Sequence, residues 1–142
     1  MGSEDEQELE DRWWLGLRGR AVESVDAYEF SVVSGFGGGS ALTIESSASI
    51  RANARAAEIP AFTHNETGTV STSEALVCLI GQRVVSGVGF KTGALRLVFE
   101  SAAWLTIPFG EHYEAWQLTG LSGRVWVSLP GGGLATFPEA MA

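Results

Sequence analysis

Apolar and polar residues alternate with a period of two along much of the chain. Tyr28, Phe30 and Val32, for example, are interleaved with Glu29 and Ser31. This period is typical of a strand with one buried face. The same pattern, bounded by glycine-rich turns, predicts strands over residues 20–34, 41–45, 83–90, 95–99, 104–107, 113–118, 124–129 and 134–137.

A different spacing interrupts this pattern in the middle of the chain. Ser71-x-x-Glu74 forms a capping box, and apolar residues follow it at helical spacing until Gly81. The sequence therefore predicts one short helix over residues 72–80. Residues 47–58 are compatible with either a strand or a weak helix, and residues 63–68, together with Pro60, are expected to form a loop.

Three matches between the two halves suggest an internal repeat of residues 17–46 and 79–109. Leu17-x-Gly19-x-x-Val22 matches Leu79-x-Gly81-x-x-Val84, Tyr28-x-Phe30-x-Val32 matches Leu95-x-Leu97-x-Phe99, and Leu42-x-Ile44 matches Leu105-x-Ile107. Alternation and turn glycines can also recur by chance. On the repeat reading, the fold class is α+β, with strand-dominated antiparallel sheets built from two three-strand meanders and the short helix between them.

The net charge of −8 is concentrated at the N-terminus, where six of the seventeen acidic residues lie in the first eleven positions. Eleven acids and nine bases remain from Arg12 onward. Such a block of like charges is usually solvated, so we expect residues 1–11 to be an acidic mobile arm and residues 12–142 to be one domain. The absence of a basic run argues against a nucleic-acid partner.

The location that the sequence predicts is cytoplasmic. No apolar run approaches the ~20 residues of a membrane-spanning helix, and the first residues resemble no secretory signal. A single cysteine, Cys78, excludes an internal disulfide framework and is expected to be buried among apolar neighbours. We therefore expect neither a membrane nor an oxidising compartment.

Residues for catalysis or metal binding are sparse. The two histidines, His64 and His112, have no nucleophile motif beside them. Glu111, His112 and Glu114 are close in sequence, but a strand turns only two of them to one face, which is too few for a metal site. The glycine runs resemble hairpin turns. We predict no catalytic residue, no metal and no cofactor.

Aromatic residues of the C-terminal third are the candidate binding residues. Alternation over 125–129 sets Trp126 opposite three apolar residues, which suggests that its side chain lies on the less buried side. Tyr113, Trp116 and Trp126 are the predicted contact residues, with Glu114 at the rim, because exposed aromatics mark binding surfaces. Packing in the core is the alternative for the same rings.

Two segments carry a resemblance to a known family. The stretch Tyr-Glu-Ala-Trp-x-Leu-x-Gly at 113–120, followed by Pro-Gly-Gly at 130–132, resembles a small, mainly actinobacterial domain family of unknown function. The resemblance covers roughly residues 13–137. It implies no activity, cofactor or catalytic residue, and it connects such domains only loosely with immunity proteins that neutralise toxins.

These observations favour a non-enzymatic bacterial domain that binds another protein, either as a toxin-neutralising or as a regulatory partner. A second copy of the chain is a further possible partner. The alternative is a small-ligand-binding domain or an enzyme with a pocket between the two repeat halves, lined by Phe99, Trp104 and Trp116.

Overall fold

The computed structural model describes residues 6–29, 31–53, 55–64, 70–72 and 74–138. Strands dominate this part of the chain. They are β1 (Glu6–Glu8), β2 (Arg12–Leu15), β3 (Val22–Ala27), β4 (Val32–Phe36), β5 (Ala41–Ile44), β6 (Ala48–Arg51), β7 (Ile59–His64), β8 (Val70–Thr72), β9 (Val84–Phe90), β10 (Leu95–Phe99), β11 (Trp104–Ile107), β12 (Trp116–Thr119), β13 (Val125–Ser128) and β14 (Leu134–Phe137). One helical turn, α1 (Glu74–Val77), precedes β9.

The strands form two antiparallel sheets that face each other across one core. Within the described residues, one sheet has the order β1-β2-β9-β10-β11-β6-β7-β8 and the other β14-β13-β12-β5-β4-β3. Trp13 of β2 meets Trp126 of β13 edge to face, with ring centroids 5.7 Å apart. Alternate residues of each strand point inward, as the period-two pattern requires.

Two meanders, β3-β4-β5 and β9-β10-β11, occupy equivalent places in the two sheets. Their registers agree: Val22 pairs with Phe36 as Val84 pairs with Phe99, and Val32 pairs with Ile44 as Leu95 pairs with Ile107. Each first strand also carries a register shift near its start. The registers agree with two of the three sequence matches, the one that begins at Leu17 and the one that begins at Leu42. The third match is aligned wrongly, because the residue equivalent to Leu95 is Val32 and not Tyr28.

The starts of the two meanders exchange hydrogen bonds around a local two-fold relation. The Gly19 amide donates to the Val84 carbonyl (2.8 Å), and the equivalent Gly81 amide donates to the Val22 carbonyl (2.7 Å). Val22 also donates to Gln82 (3.0 Å) and Val84 to Arg20 (2.9 Å). These reciprocal bonds tie the two sheets together at one end of the core.

The last strand of each meander pairs with a strand from the opposite half of the chain. After β5 the chain crosses to the other sheet, where β6 pairs with β11. After β11 it crosses back, and β12 pairs with β5. Each sheet is thus built from both halves, and its centre depends on pairing between residues that are distant in sequence.

The predicted α+β fold class is wrong, because the structure is almost entirely β and the helix expected over 72–80 is reduced to the single turn α1. Ser71, the expected cap, lies in strand β8 instead. Beyond Val77 the chain forms tight turns, with Ile80 donating to the Val77 carbonyl three residues back (3.0 Å). Pairing of Ile80 with Val22 then stops the helix from continuing.

Several smaller expectations also differ from the structure. The single strand expected over 20–34 is divided into β3, which ends at Ala27, and β4, which begins at Val32. Pro60 lies in β7, the expected loop at 65–68 lies outside the described residues, and Cys78 is exposed. The strands expected at 95–99, 104–107 and 134–137 are confirmed.

The expected mobile arm is partly ordered into the sheet. Glu6–Glu8 form β1, which pairs with β2. Glu6 accepts a hydrogen bond from Ser122 (2.6 Å), and Glu8 forms an ion pair with Lys91 (2.7 Å). Local partners thus hold residues that the charge pattern assigned to solvent, while residues 1–5 lie outside the described residues.

Candidate functional site

The outer face of the eight-stranded sheet carries an unusual set of side chains. Because alternate residues point outward, strands β2, β9, β10 and β11 place arginine and aromatic side chains side by side across four neighbouring strands. We call this surface the arginine–aromatic face. Its members are Arg12, Trp14, Phe90, Arg96 and Trp104.

Arg96 lies at the centre of this face, between two aromatic rings. Its guanidinium carbon is 5.2 Å from the Phe90 ring centroid and 5.1 Å from that of Trp104. Its Nε is buried and has no hydrogen-bond partner among the described residues. None of the ion pairs formed by those residues involves Arg96. The rings hold the charge by cation–π contact, and the terminal nitrogens have no acceptor among the residues that the structure describes.

Arg12 lies over the same Phe90 ring, with its guanidinium carbon 4.9 Å from the ring centroid. Two hydrogen bonds of 3.0 Å, from its Nε and Nη2, join it to the Asp11 carboxylate. The hydrogen bond from the Arg12 side chain lowers the pKa of the exposed Asp11 carboxyl, and the same contact raises the pKa of Arg12. Arg12 is therefore neutralised within the chain, in contrast to Arg96.

A shallow cleft of about 250 Å³ opens beside Trp14, whose side chain is 46% exposed. The remaining lining residues come from the segment after β2 and from the start of β9: Gly16, Leu17, Arg18, Val85, Ser86 and Gly87. Ligand pockets usually span ~300–1,000 Å³. The cleft therefore fits one inserted side chain better than a metabolite.

The four sequence-predicted contact residues are divided by the structure. Trp116 and Trp126 are fully buried, and the Trp116 indole donates to the Gly93 carbonyl across the core (2.9 Å). Alternation misplaced Trp126 because all four residues of β13 are buried. Tyr113 and Glu114 are exposed on the connection between β11 and β12. The four residues do not form one contact surface.

The pocket expected between the repeat halves is not formed by its three expected residues. Phe99 and Trp116 are core side chains, whereas Trp104 points to the outer face beside Arg96. The pattern analysis missed Arg12, Trp14, Phe90 and Arg96. Their outward positions in alternating strands were a usable signal, but it does not reveal which strands are neighbours.

Two further features bear on the class of site. No group of three or more histidine, cysteine or acidic residues within the described part of the chain is arranged to hold a metal ion. Across the same residues, no helix has the length and apolar character needed to cross a membrane.

Comparison with known proteins places the chain in a family. No curated protein and no solved structure matches it. The model of a family of unknown function matches residues 13–138. This range includes β2 from its second residue onward and all later strands, and it leaves out β1. The chain therefore belongs to the family of unknown function DUF6188.

Proposed function

We propose that this domain binds another protein through the arginine–aromatic face and acts by covering the partner's surface, as toxin-neutralising and regulatory domains do. The observation that carries the proposal is Arg96, an outward-facing guanidinium held between two rings and, within the described part of the chain, without an ion-pair partner. Arginine and tryptophan are the residue types most enriched in binding hot spots.

The chemistry of the face indicates an acidic group on the partner. Arg12 of this face is already paired with Asp11, and Arg51, which lies opposite Trp104 on the neighbouring strand β6, is paired with Glu58. Among the described ion pairs none uses Arg96, which is therefore the arginine of the face that can receive a carboxylate. A planar guanidinium can donate two parallel hydrogen bonds to the two oxygens of a carboxylate. Its position between rings means that little side-chain entropy is lost on binding.

Trp14 supplies the apolar part of the contact, and the adjoining cleft has a lining of both polar and apolar groups. The cleft suits one side chain of the partner, and the exposed indole adds area at its wall. An aromatic side chain beside a charged anchor is a common arrangement in protein interfaces, because the surrounding contacts exclude water from the charge pair. The small volume of the cleft favours binding of a protein side chain over a small-ligand or enzymatic function.

A capture experiment with matched variants tests the proposal. The tagged chain, its Trp14→Ala/Arg96→Glu variant and a Thr43→Ala/Gln117→Ala control on the opposite sheet are incubated with lysate of the native cell. Proteins that interact through the face are retained by the unchanged chain and by the control, and are lost with the Trp14/Arg96 variant. Equal capture by all three chains, or capture of nothing, contradicts the proposal.

A further inference from the structure

Strand β3 leaves one edge of the six-stranded sheet open, although its equivalent β9 is covered. On β9, strand β2 pairs through Arg12↔Phe90, Trp13↔Gly89 and Trp14↔Val88. Among the described residues, no strand pairs with the second side of β3. The fold thus provides, within one molecule, the same strand edge in an occupied and an unoccupied form.

The hydrogen bonding of the hairpin between β3 and β4 determines which backbone groups of β3 face the open side. The Tyr28 amide donates to the Ser31 carbonyl (2.7 Å), so alternate residues further along β3, Asp26 among them, are bonded to β4. Val25 and Ala27 therefore direct their N–H and C=O groups away from the sheet. On β9 the corresponding hairpin bond runs from Phe90 to Ala94, and Gly89 faces Trp13.

The bulge at the start of β3 does not block this edge. A register shift separates Val22 from Ser24, and at Val22 the outer side is already bonded to Gly81 and Gln82. The equivalent shift on β9 is likewise followed by pairing with β2. The accessible stretch is accordingly residues 24–29.

We propose that β3 accepts an extended, basic segment of a partner protein as an added strand, in the geometry that β2 adopts on β9. Such strand addition is a recurrent mode of peptide recognition, in which main-chain hydrogen bonds supply affinity. This second surface lies on the other sheet from the arginine–aromatic face, and the inference does not depend on the function proposed for that face.

Charge at the edge selects a basic occupant. Glu23, Asp26 and Glu29 are exposed, and none of the ion pairs of the described residues involves them. Tyr28, 58% exposed, takes the place of Phe90, over which the arginine of the covering strand lies at 4.9 Å. An arginine on the added strand can stack on Tyr28 in the same way.

The same charges argue against a second copy of the chain as the occupant. An antiparallel β3–β3 joint would collect three carboxylates from each copy, and in the register centred on Asp26 it sets the two Asp26 side chains directly opposite each other. Like charges in facing positions destabilise a strand pair. Charged edges commonly serve to prevent such self-pairing.

The probe that tests the inference is a synthetic peptide of residues 10–17 with Glu10→Lys and Asp11→Lys. It contains the sequence of the covering strand β2, preceded by two lysines. Binding to the full chain is followed by amide hydrogen exchange. We expect the amides of Val25 and Ala27 to exchange about tenfold more slowly with saturating peptide, because they become hydrogen-bonded. A peptide N-methylated at Trp13 lacks the required donor and should not protect them.

Variants of the full chain separate charge from fold. Glu23→Lys/Asp26→Lys should weaken peptide affinity about tenfold, whereas Glu10→Lys/Glu111→Lys, with the same change in net charge, should not. Melting temperatures verify that both variants fold. Protection at Gly89 instead of Ala27 would mean that the peptide displaces β2, and protection of Ala27 that rises with protein concentration alone would identify a second copy. Either result, or equal binding of the N-methylated peptide, overturns the inference.

Discussion

The meanders β3-β4-β5 and β9-β10-β11 share their registers, yet they differ on their outer faces. Most inward positions are apolar in both: Phe36 corresponds to Phe99, and Leu42 to Leu105. One inward position differs, because the buried Ser34 stands where the other meander has Leu97. The outward positions differ. Arg96 pairs with Thr106 in one meander as Val33 pairs with Thr43 in the other, so Val33 takes the place of Arg96. By the same alignment Ala41 takes the place of Trp104.

This difference separates the requirements of folding from those of recognition. The inward residues of both meanders fill the same core, so close packing constrains most of them to similar size and character. The outward residues meet no such constraint, and only one meander uses them to build a cationic and aromatic surface. The comparison can be tested at positions where the two meanders are expected to behave alike or to differ.

The largest expected effect concerns the paired core phenylalanines. Phe36→Ala and Phe99→Ala should each lower the free energy of unfolding by about 3–5 kcal/mol, because each ring is almost fully buried and its loss leaves a cavity. Urea denaturation of the two variants measures this. The outward pair Thr43→Ala and Thr106→Ala serves as the control, with losses of about 1 kcal/mol or less. Unequal losses for the two phenylalanines, by more than about 2 kcal/mol, would show that the two meanders are not energetically equivalent.

A smaller and again equal effect is expected at the two glycines that link the meanders. Gly19 and Gly81 have φ values of 82° and 90°, and a Cβ at either position meets no atom within 4 Å. Alanine there should cost only the left-handed backbone strain, about 1–2 kcal/mol at each site. Thermal denaturation provides the measurement. Asparagine, which tolerates this conformation better, should restore part of the loss, and a cost confined to one of the two sites would contradict the local two-fold relation.

The smallest effect is electrostatic and belongs only to the covered edge. Hydrogen bonding from Arg12 lowers the pKa of Asp11, so its contribution to stability is present above the pKa of the unfolded chain and is lost as pH falls through the lowered folded value. A carboxyl-detected NMR titration should show the Asp11 midpoint moving upward in Arg12→Gln. An unchanged midpoint would mean that Arg12 does not hold this carboxylate.

The sequence predicts the strands better than their arrangement. Strands such as Leu95–Phe99 follow directly from alternation, which is a local property. The helix expected over 72–80 fails because bridge pairing between Ile80 and Val22, a long-range contact, outweighs helical spacing. Pairing of β12 with β5 and of β6 with β11 joins segments far apart in the chain, and no local pattern specifies it.

The candidate site shows the same limit more strongly. Trp126 could not be assigned to the core from alternation, since β13 is buried on both faces. Arg96 and Trp104 become a site only because β10 and β11 are neighbours, with Phe90 contributed by β9. A surface assembled across strands needs the sheet order, which the sequence alone does not supply.

The crossing of the chain between sheets has a consequence for synthesis of the protein. When β3 to β8 have been made, β5 and β6 still lack the neighbours that β12 and β11 will later provide. Neither sheet can close before the ribosome has released most of the chain, so the first half must wait with unpaired strand edges. If the two halves were produced as separate polypeptides, each would lack the central neighbours that the other carries, and they would be expected to assemble by mutual complementation.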